Sequence, residues 1–112
     1  MYNDDDIRLK HMLDAAQKAR EFIDGKQRSD LNNNDILLFA LVHAIELIGE
    51  AANHISDHYK SEHPEILWNR IITMRNRLIH GYFKVDLDIV WDTVTSDIPI
   101  LIEQLKKIIN TC

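Results

Sequence analysis

The scarcity of helix breakers is the strongest constraint on this chain, because three glycines and two prolines are spread over 112 residues. Such a composition favours long helices over a turn-rich β fold. The length suits one domain, and 46% hydrophobic residues are enough for one modest core. We therefore expect a single all-α domain that covers residues 1–112.

Apolar residues recur at three- and four-residue spacing in four segments, which is the period of an α-helix. We predict that Gly25 terminates the first helix, that Asn33 or Asn34 caps the second, and that Asp86 caps the fourth. Residues 58–64 read as a linker. The predicted helices run from about Asp4 to Asp24, Asp35 to Asp57, Pro64 to His80 or Gly81, and Asp86 to Asn110.

These four helices, with short connections, predict an antiparallel four-helix up-down bundle. Pro99 lacks an N–H and crowds the carbonyl four residues back, so we expect the fourth helix to be kinked near it, about Thr95. The second helix is apolar almost all round at its start. A helix of that kind is buried on more than one side, which suggests a subunit interface.

The cellular compartment is indicated by the ends of the chain and by its apolar runs. The single cysteine is the last residue, Cys112, so no intramolecular disulfide can form, as suits a reducing cytoplasm. The acidic N-terminus lacks the basic and apolar parts of a secretory signal. The longest apolar run, Ile36 to Val42, is far too short to span a membrane. We therefore expect a cytoplasmic protein with no membrane partner.

Charge is distributed unevenly along the sequence. The net charge of −5 argues against nucleic-acid binding, yet Ile66 to Val85 contains no Asp or Glu. A local cationic patch on an acidic body can hold a phosphate chain, but cations also cluster by chance on solvated helix faces. Charge alone leaves both interpretations open. The candidate phosphate-binding residues in this segment are Arg70, Arg77 and Lys84, beside Arg75.

Four residues in and after the third predicted helix could take part in catalysis: Arg75, Asn76, His80 and Tyr82. RNA is cleaved without a metal when a base activates the 2′-hydroxyl, an acid protonates the 5′-oxygen, and a cation stabilises the phosphorane-like transition state. Histidine suits the proton transfers and arginine suits the charge. Arg75 and His80 lie roughly 140° apart on an ideal helix, whereas Asn76 shares the face of His80. Arg75 and His80 can therefore meet only if the helix unwinds at Gly81 or if a second subunit contributes.

A rival site lies on the second helix, where Glu46, Glu50, His54 and His58 recur at four-residue spacing. Carboxylates and imidazoles on one face are a metal-ligand pattern, but di-metal bundles use such a pattern on two helices. Charge-compensated pairs on a polar face are the plainer interpretation. The sequence contains no glycine-rich phosphate loop and no Cys-x-x-Cys, and we predict no metal and no cofactor.

Five sequence blocks occur in order along the chain. Arg75, His80 and Tyr82 have the spacing R-x-x-x-x-H-x-Y. The other blocks are I-E-L-I-G-E-A-A from Ile45, P-E-I-L-W from Pro64, I-V-W-D-T-V from Ile89 and D-I-P-I-L from Asp97. Together these blocks resemble the HEPN superfamily, whose motif is R-x-x-x-x-H-x-Y, and most closely the HepT-like toxins of type VII-like toxin–antitoxin pairs.

The resemblance implies a metal-independent ribonuclease that works as a homodimer with the two motifs facing one cleft. Arg75 and His80 would be catalytic, with Asn76 as a supporting residue. The partner would be a nucleotidyltransferase antitoxin of the MNT type, which transfers AMP onto Tyr82. Several HEPN domains are non-catalytic modules that bind a nucleotide or a nucleotidyltransferase, and this remains the alternative. The sequence does not name the RNA, although tRNA is one candidate.

Overall fold

The computed structural model of the protein describes residues 4–80 and 85–110, and the side chains of residues 4–77 and 85–109. Helices account for 84% of these residues, and no strand occurs among them, so the all-α prediction is confirmed. The α-helices are α1 (Asp4–Phe22), α2 (Asp35–His54), α3 (Asp57–Glu62), α4 (Trp68–His80), α5 (Leu87–Asp92) and α6 (Ile98–Asn110). A 3-10 helix (Arg28–Asn32) precedes α2, and a π-helical segment (Thr93–Asp97) joins α5 to α6.

The core lies between α1, α2 and the α5–α6 segment, and α4 packs against α2. The carboxylate of Asp5 accepts hydrogen bonds from the backbone N–H of Ser56 at 2.9 Å and from its hydroxyl at 2.7 Å. Because this contact joins the start of α1 to the end of α2, the two helices run antiparallel. The up-down order of the whole bundle stays a prediction. The largest fully buried side chains are Leu9, Met12, Leu31, Leu41, Ile66, Val90, Val94 and Leu105.

The helix ends agree with the predicted caps. The side chain of Asn34 accepts from the N–H of Leu37 at 3.0 Å, which satisfies one free donor in the first turn of α2. Asp86 does the same for α5, accepting from the N–H of Ile89 at 3.2 Å. Gly25 adopts φ +73°, the left-handed conformation that glycine takes without steric cost just beyond a helix end.

The predicted linker over residues 58–64 is wrong, because most of it forms the short helix α3. Ser56 caps α3 by accepting from the N–H of Tyr59 at 3.2 Å, and Asp5 fixes the same serine to α1. The phenol of Tyr59 is partly buried beside acidic groups. Burial, with Asp6 and Asp5 adding repulsion, raises the pKa of Tyr59 to about 12, so the phenol stays neutral at physiological pH.

The start of α4 was also predicted too early, since the helix begins at Trp68 and not at Pro64. Two contacts hold the preceding residues in a turn. The side chain of Ile66 is buried in the core, and the indole N–H of Trp68 donates to the carbonyl of His63 at 3.0 Å.

The predicted disturbance near Pro99 takes the form of the π-helical segment. The N–H of Ile98 donates to the carbonyl of Thr93, five residues back. Pro99 has no N–H for the next bond of a regular ladder. Arg20 of α1 donates to the carbonyl of Val94 at 3.2 Å, which satisfies an acceptor within the segment. A change in helix direction at this point stays a prediction.

Candidate functional site

Arg75 is largely enclosed on the face of α4 that packs against α2, with its side chain 16% exposed. Its Nη2 lies 3.3 Å from Oε2 of Glu50 on α2. The Nε atom is buried and has no hydrogen-bond partner among the described residues. Because a guanidinium stays charged at any physiological pH, Glu50 supplies the compensating charge that enclosure requires.

Gly49 is what allows Arg75 to lie against α2. A Cβ atom at Gly49 would overlap the Cβ of Arg75 and lie 2.6 Å from its Cγ. It would also lie 3.5 Å from the backbone oxygen of Ile71. Sequence reasoning missed this contact. The available signal was a glycine inside a predicted helix, where it costs roughly 0.5–1 kcal/mol relative to alanine and therefore suggests close packing.

Glu50 also links Arg75 to an imidazole. Its Oε1 lies 2.8 Å from Nε2 of His54, one turn further along α2. His58 pairs instead with Glu62 on α3. Within residues 4–77 and 85–109, no three His, Cys, Asp or Glu side chains converge as metal ligands. On this face Glu50 pairs with His54, and His58 pairs with Glu62, as the interpretation of charge-compensated pairs expects.

The other described members of the basic segment lie near the surface. The Arg70 side chain is 62% exposed, and its Nη2 lies 3.2 Å from a carboxylate oxygen of Asp97 in the π-helical segment. Asn76 and Arg77 are exposed, and Arg77 has no carboxylate partner among the described residues. The cationic patch predicted from sequence is therefore partly neutralised, since Arg70 and Arg75 each face an acidic residue from another element.

The second half of the motif lies at the end of α4. The backbone stays helical as far as His80, so positions 75 and 80 remain about 140° apart. Position 80 falls on the side of α4 that carries Asn76 and Arg77, whereas Arg75 faces α2. The side chain of His80, and all of Tyr82 and Lys84, lie outside the described residues. Their predicted roles stay predictions.

The fold and this site define a class: a small helical bundle that encloses an arginine against its central helix, five residues before a histidine. Comparison with known proteins gives the family. Residues 12–108 match the family described as Ribonuclease HepT-like. The chain therefore belongs to the HepT-like family of the HEPN superfamily, which confirms the resemblance carried by its sequence blocks.

Relatives match the chain over most of its length. It is 46% identical over 100 residues to a protein of Thermococcus cleftensis named "Probable ribonuclease HepT", covering 89% of this chain and 91% of that one. A protein of Caldanaerobacter subterraneus subsp. tengcongensis named as a "putative RNase" is 34% identical over 102 residues, 91% of each chain. No solved structure matches the chain.

Among the described residues, no helix is long and apolar enough to cross a membrane.

Proposed function

We propose that this protein is a metal-independent endoribonuclease and the toxin of a toxin–antitoxin pair. The observation that carries the proposal is the enclosed Arg75, fixed against Glu50 at the first position of the R-x-x-x-x-H-x-Y motif, in a member of a ribonuclease family. A fixed cation of this kind is suited to a transition state whose charge develops on phosphate oxygens.

The chemistry divides between two residue types. A base removes the proton of the 2′-hydroxyl, whose oxygen attacks the adjacent phosphorus, and an acid donates a proton to the 5′-oxygen as its bond to phosphorus breaks. His80 supplies one of these transfers, because imidazole gains and loses protons near neutrality. Arg75 donates hydrogen bonds to the phosphate oxygens and keeps its charge throughout. Asn76, one turn before His80, supports the imidazole.

The reason for proposing a homodimer is that Arg75 and position 80 lie on different sides of α4. Arg75 faces α2 within its own chain, whereas position 80, about 140° further around the helix, lies on the side that carries the exposed Asn76 and Arg77. One chain alone therefore separates the cation from the proton carrier. A two-fold axis next to α4 would place two histidines and two arginines along one cleft, which also supplies the second proton transfer.

The antitoxin is a nucleotidyltransferase of the MNT type, and it acts by adding AMP to Tyr82. The physical reason for inhibition is electrostatic and steric. Each AMP adds about one negative charge and a bulky group two residues from His80, so it would repel the RNA backbone and fill the cleft. The proposal rests on the position of Tyr82 in the motif and on family membership.

The test is a cleavage assay on antitoxin-free protein with total cellular RNA in excess EDTA. We expect discrete fragments from the wild type and a rate at least about a hundredfold lower for His80→Ala, as for loss of a general acid or base. His58→Ala is the matched control, because His58 is exposed and paired with Glu62 on α3.

Other results of these experiments would each reject one part of the proposed function. Cleavage by His80→Ala at the wild-type rate would reject the catalytic assignment, and complete inhibition by EDTA would reject metal independence. If protein whose mass shows an unmodified Tyr82 does not cleave RNA, the domain is the non-catalytic alternative, which binds a nucleotide or a nucleotidyltransferase. Sedimentation as a monomer at micromolar concentration with full cleavage would reject the two-subunit site.

A further inference from the structure

A groove of about 490 Å³ follows the outer surface between α1 and α2, and the proposed cleavage chemistry does not use it. Its lining mixes seven ionisable side chains with alanines, Phe22 and Leu47. The cavity of about 250 Å³ between α2, α4 and α6 has only three charged side chains in its lining, those of Glu65, Arg70 and Asp97. The cations and imidazoles of the groove come from both helices: Arg8, His11 and Lys18 from α1, and His43 and His54 from α2.

One end of the groove is lined by Glu50, the residue that pairs with the enclosed arginine. Because α1 and α2 are antiparallel, Arg8 lies near the end that Glu50 and His54 line, and Lys18 lies towards the other end. Glu50 belongs both to the lining of the groove and to the ion pair with Arg75. Arg8 and Lys18 are ten positions apart on one helix, or roughly 15 Å, which several consecutive phosphates of an extended strand would span.

We propose that the groove binds the sugar–phosphate backbone of a single-stranded RNA segment and leads it to Arg75, with Arg8 and Lys18 as the phosphate contacts. The inference deepens the proposed function and rests on RNA being the substrate. The imidazoles can donate hydrogen bonds to phosphate oxygens in either protonation state. They make the groove suitable for a chain of phosphates rather than for one anion.

The acidic residues in the lining make the proposal more specific. The charge of Glu50 is offset by Arg75 at 3.3 Å, so it repels a phosphate chain only weakly. Asp14 is exposed and lies one turn before Lys18, where its charge opposes an RNA backbone. Affinity should therefore fall when the cations are neutralised and rise when Asp14 is neutralised. An acidic or neutral partner would respond in the opposite sense or not at all.

The test measures binding separately from cleavage. The full-length protein is titrated with a fluorescent single-stranded 2′-O-methyl RNA, which lacks the attacking hydroxyl, over a range of salt concentrations. For the double variant Arg8→Gln/Lys18→Gln we expect affinity lower by on the order of tenfold at 0.1 M salt. The slope of log K against log salt should flatten by about 1.4, because two counterion-releasing contacts to a single strand are lost. Asp14→Asn should bind more tightly than the wild type.

Lys106→Gln/Lys107→Gln on α6 is the matched control, since both lysines are exposed, the charge change is the same, and neither lines the groove. The proposal is overturned if the two double variants lose affinity equally, or if the groove variant keeps the wild-type affinity and slope while its helical content is unchanged. Tight, groove-dependent binding by a wild type that cleaves no RNA would retain this site and reject the proposed nuclease.

Discussion

The two halves of α2 are built differently. The first half presents large apolar side chains to solvent, with Ile36 83% exposed and Phe39 69% exposed. The second half combines the buried small residues Gly49, Ala51 and Ala52 with charged groups on its outer face. Soluble chains seldom place large apolar residues side by side in solvent without a partner for them.

The difference separates two kinds of contact made by one helix. In the second half, small side chains let α4 approach closely, and Glu50 meets the enclosed guanidinium of Arg75. That contact is completed within the chain. In the first half, the apolar surface is left uncovered by the described residues, as a face available to a second chain would be. The second half thus fits a role in holding the proposed catalytic arginine, and the first half fits the proposed dimer.

The largest effect should come from disrupting the exposed half. We expect Ile36→Lys/Phe39→Lys to convert the proposed dimer to a monomer, because two charges would have to be buried at the interface without partners. Cleavage should then be lost, since the proposed site takes its arginine and its histidine from two subunits. Sedimentation gives the oligomeric state, and the RNA assay gives the activity. Circular dichroism should report an unchanged helical content, because both residues are exposed.

Leu67→Lys/Ile100→Lys is the control for that prediction. Both residues are 59% exposed and apolar, and both line the cavity between α2, α4 and α6. We expect this variant to remain a dimer and to cleave RNA. If it dissociates while the α2 variant does not, the interface is formed around Leu67 and Ile100 instead of the first half of α2, and the comparison between the halves of α2 loses its functional meaning.

The next largest effect should come from the packed half. Alanine normally stabilises a helix interior relative to glycine by roughly 0.5–1 kcal/mol. At position 49 its Cβ would overlap that of Arg75, and overpacking of this kind costs about 1–3 kcal/mol. We therefore expect Gly49→Ala to lower the free energy of unfolding and to reduce cleavage. Urea denaturation measures the first effect and the RNA assay the second.

Asn53→Ala serves as the comparison, because Asn53 is exposed one turn after Gly49 on α2. Its replacement should leave unfolding within about 0.5 kcal/mol of the wild type. If Gly49→Ala is instead more stable than the wild type by the usual helix-propensity difference, then α2 and α4 are not in close contact at this point, and Arg75 is not held as described.

Sequence reasoning succeeded where structure is decided locally. The helix caps at Asn34 and Asp86 and the left-handed Gly25 depend on a few neighbouring residues, and the structure confirms all three. It failed over residues 58–67, because that segment is fixed by distant contacts. Asp5 anchors Ser56 from fifty-one positions away, and Ile66 enters the core. No local pattern predicts such contacts.

The candidate site divides in the same way. The motif identified Arg75 because it is a pattern along one helix. The sequence did not indicate which residues contact Arg75. Gly49 and Glu50 lie on another helix, and they contact Arg75 only once α2 and α4 pack together. Glu50 was noticed for its spacing from His54, which suggested a metal, whereas the guanidinium that it also pairs with lies on α4. Spacing on one helix indicates which residues share a face, but not which element that face meets.

The smallest of the three effects should come from Glu50→Gln, which keeps the shape of the side chain and removes its charge. Without the carboxylate, Arg75 loses the group that fixes its guanidinium, so we expect turnover to fall by about tenfold, as small misplacements of catalytic groups do. KM should stay unchanged or fall, because one negative charge leaves the RNA path. Glu46→Gln, one turn earlier on α2, is the matched control and should change neither quantity. A rise in turnover for Glu50→Gln would mean that Glu50 restrains Arg75 instead of positioning it, and the packed half of α2 would then hold the arginine in an inhibited state.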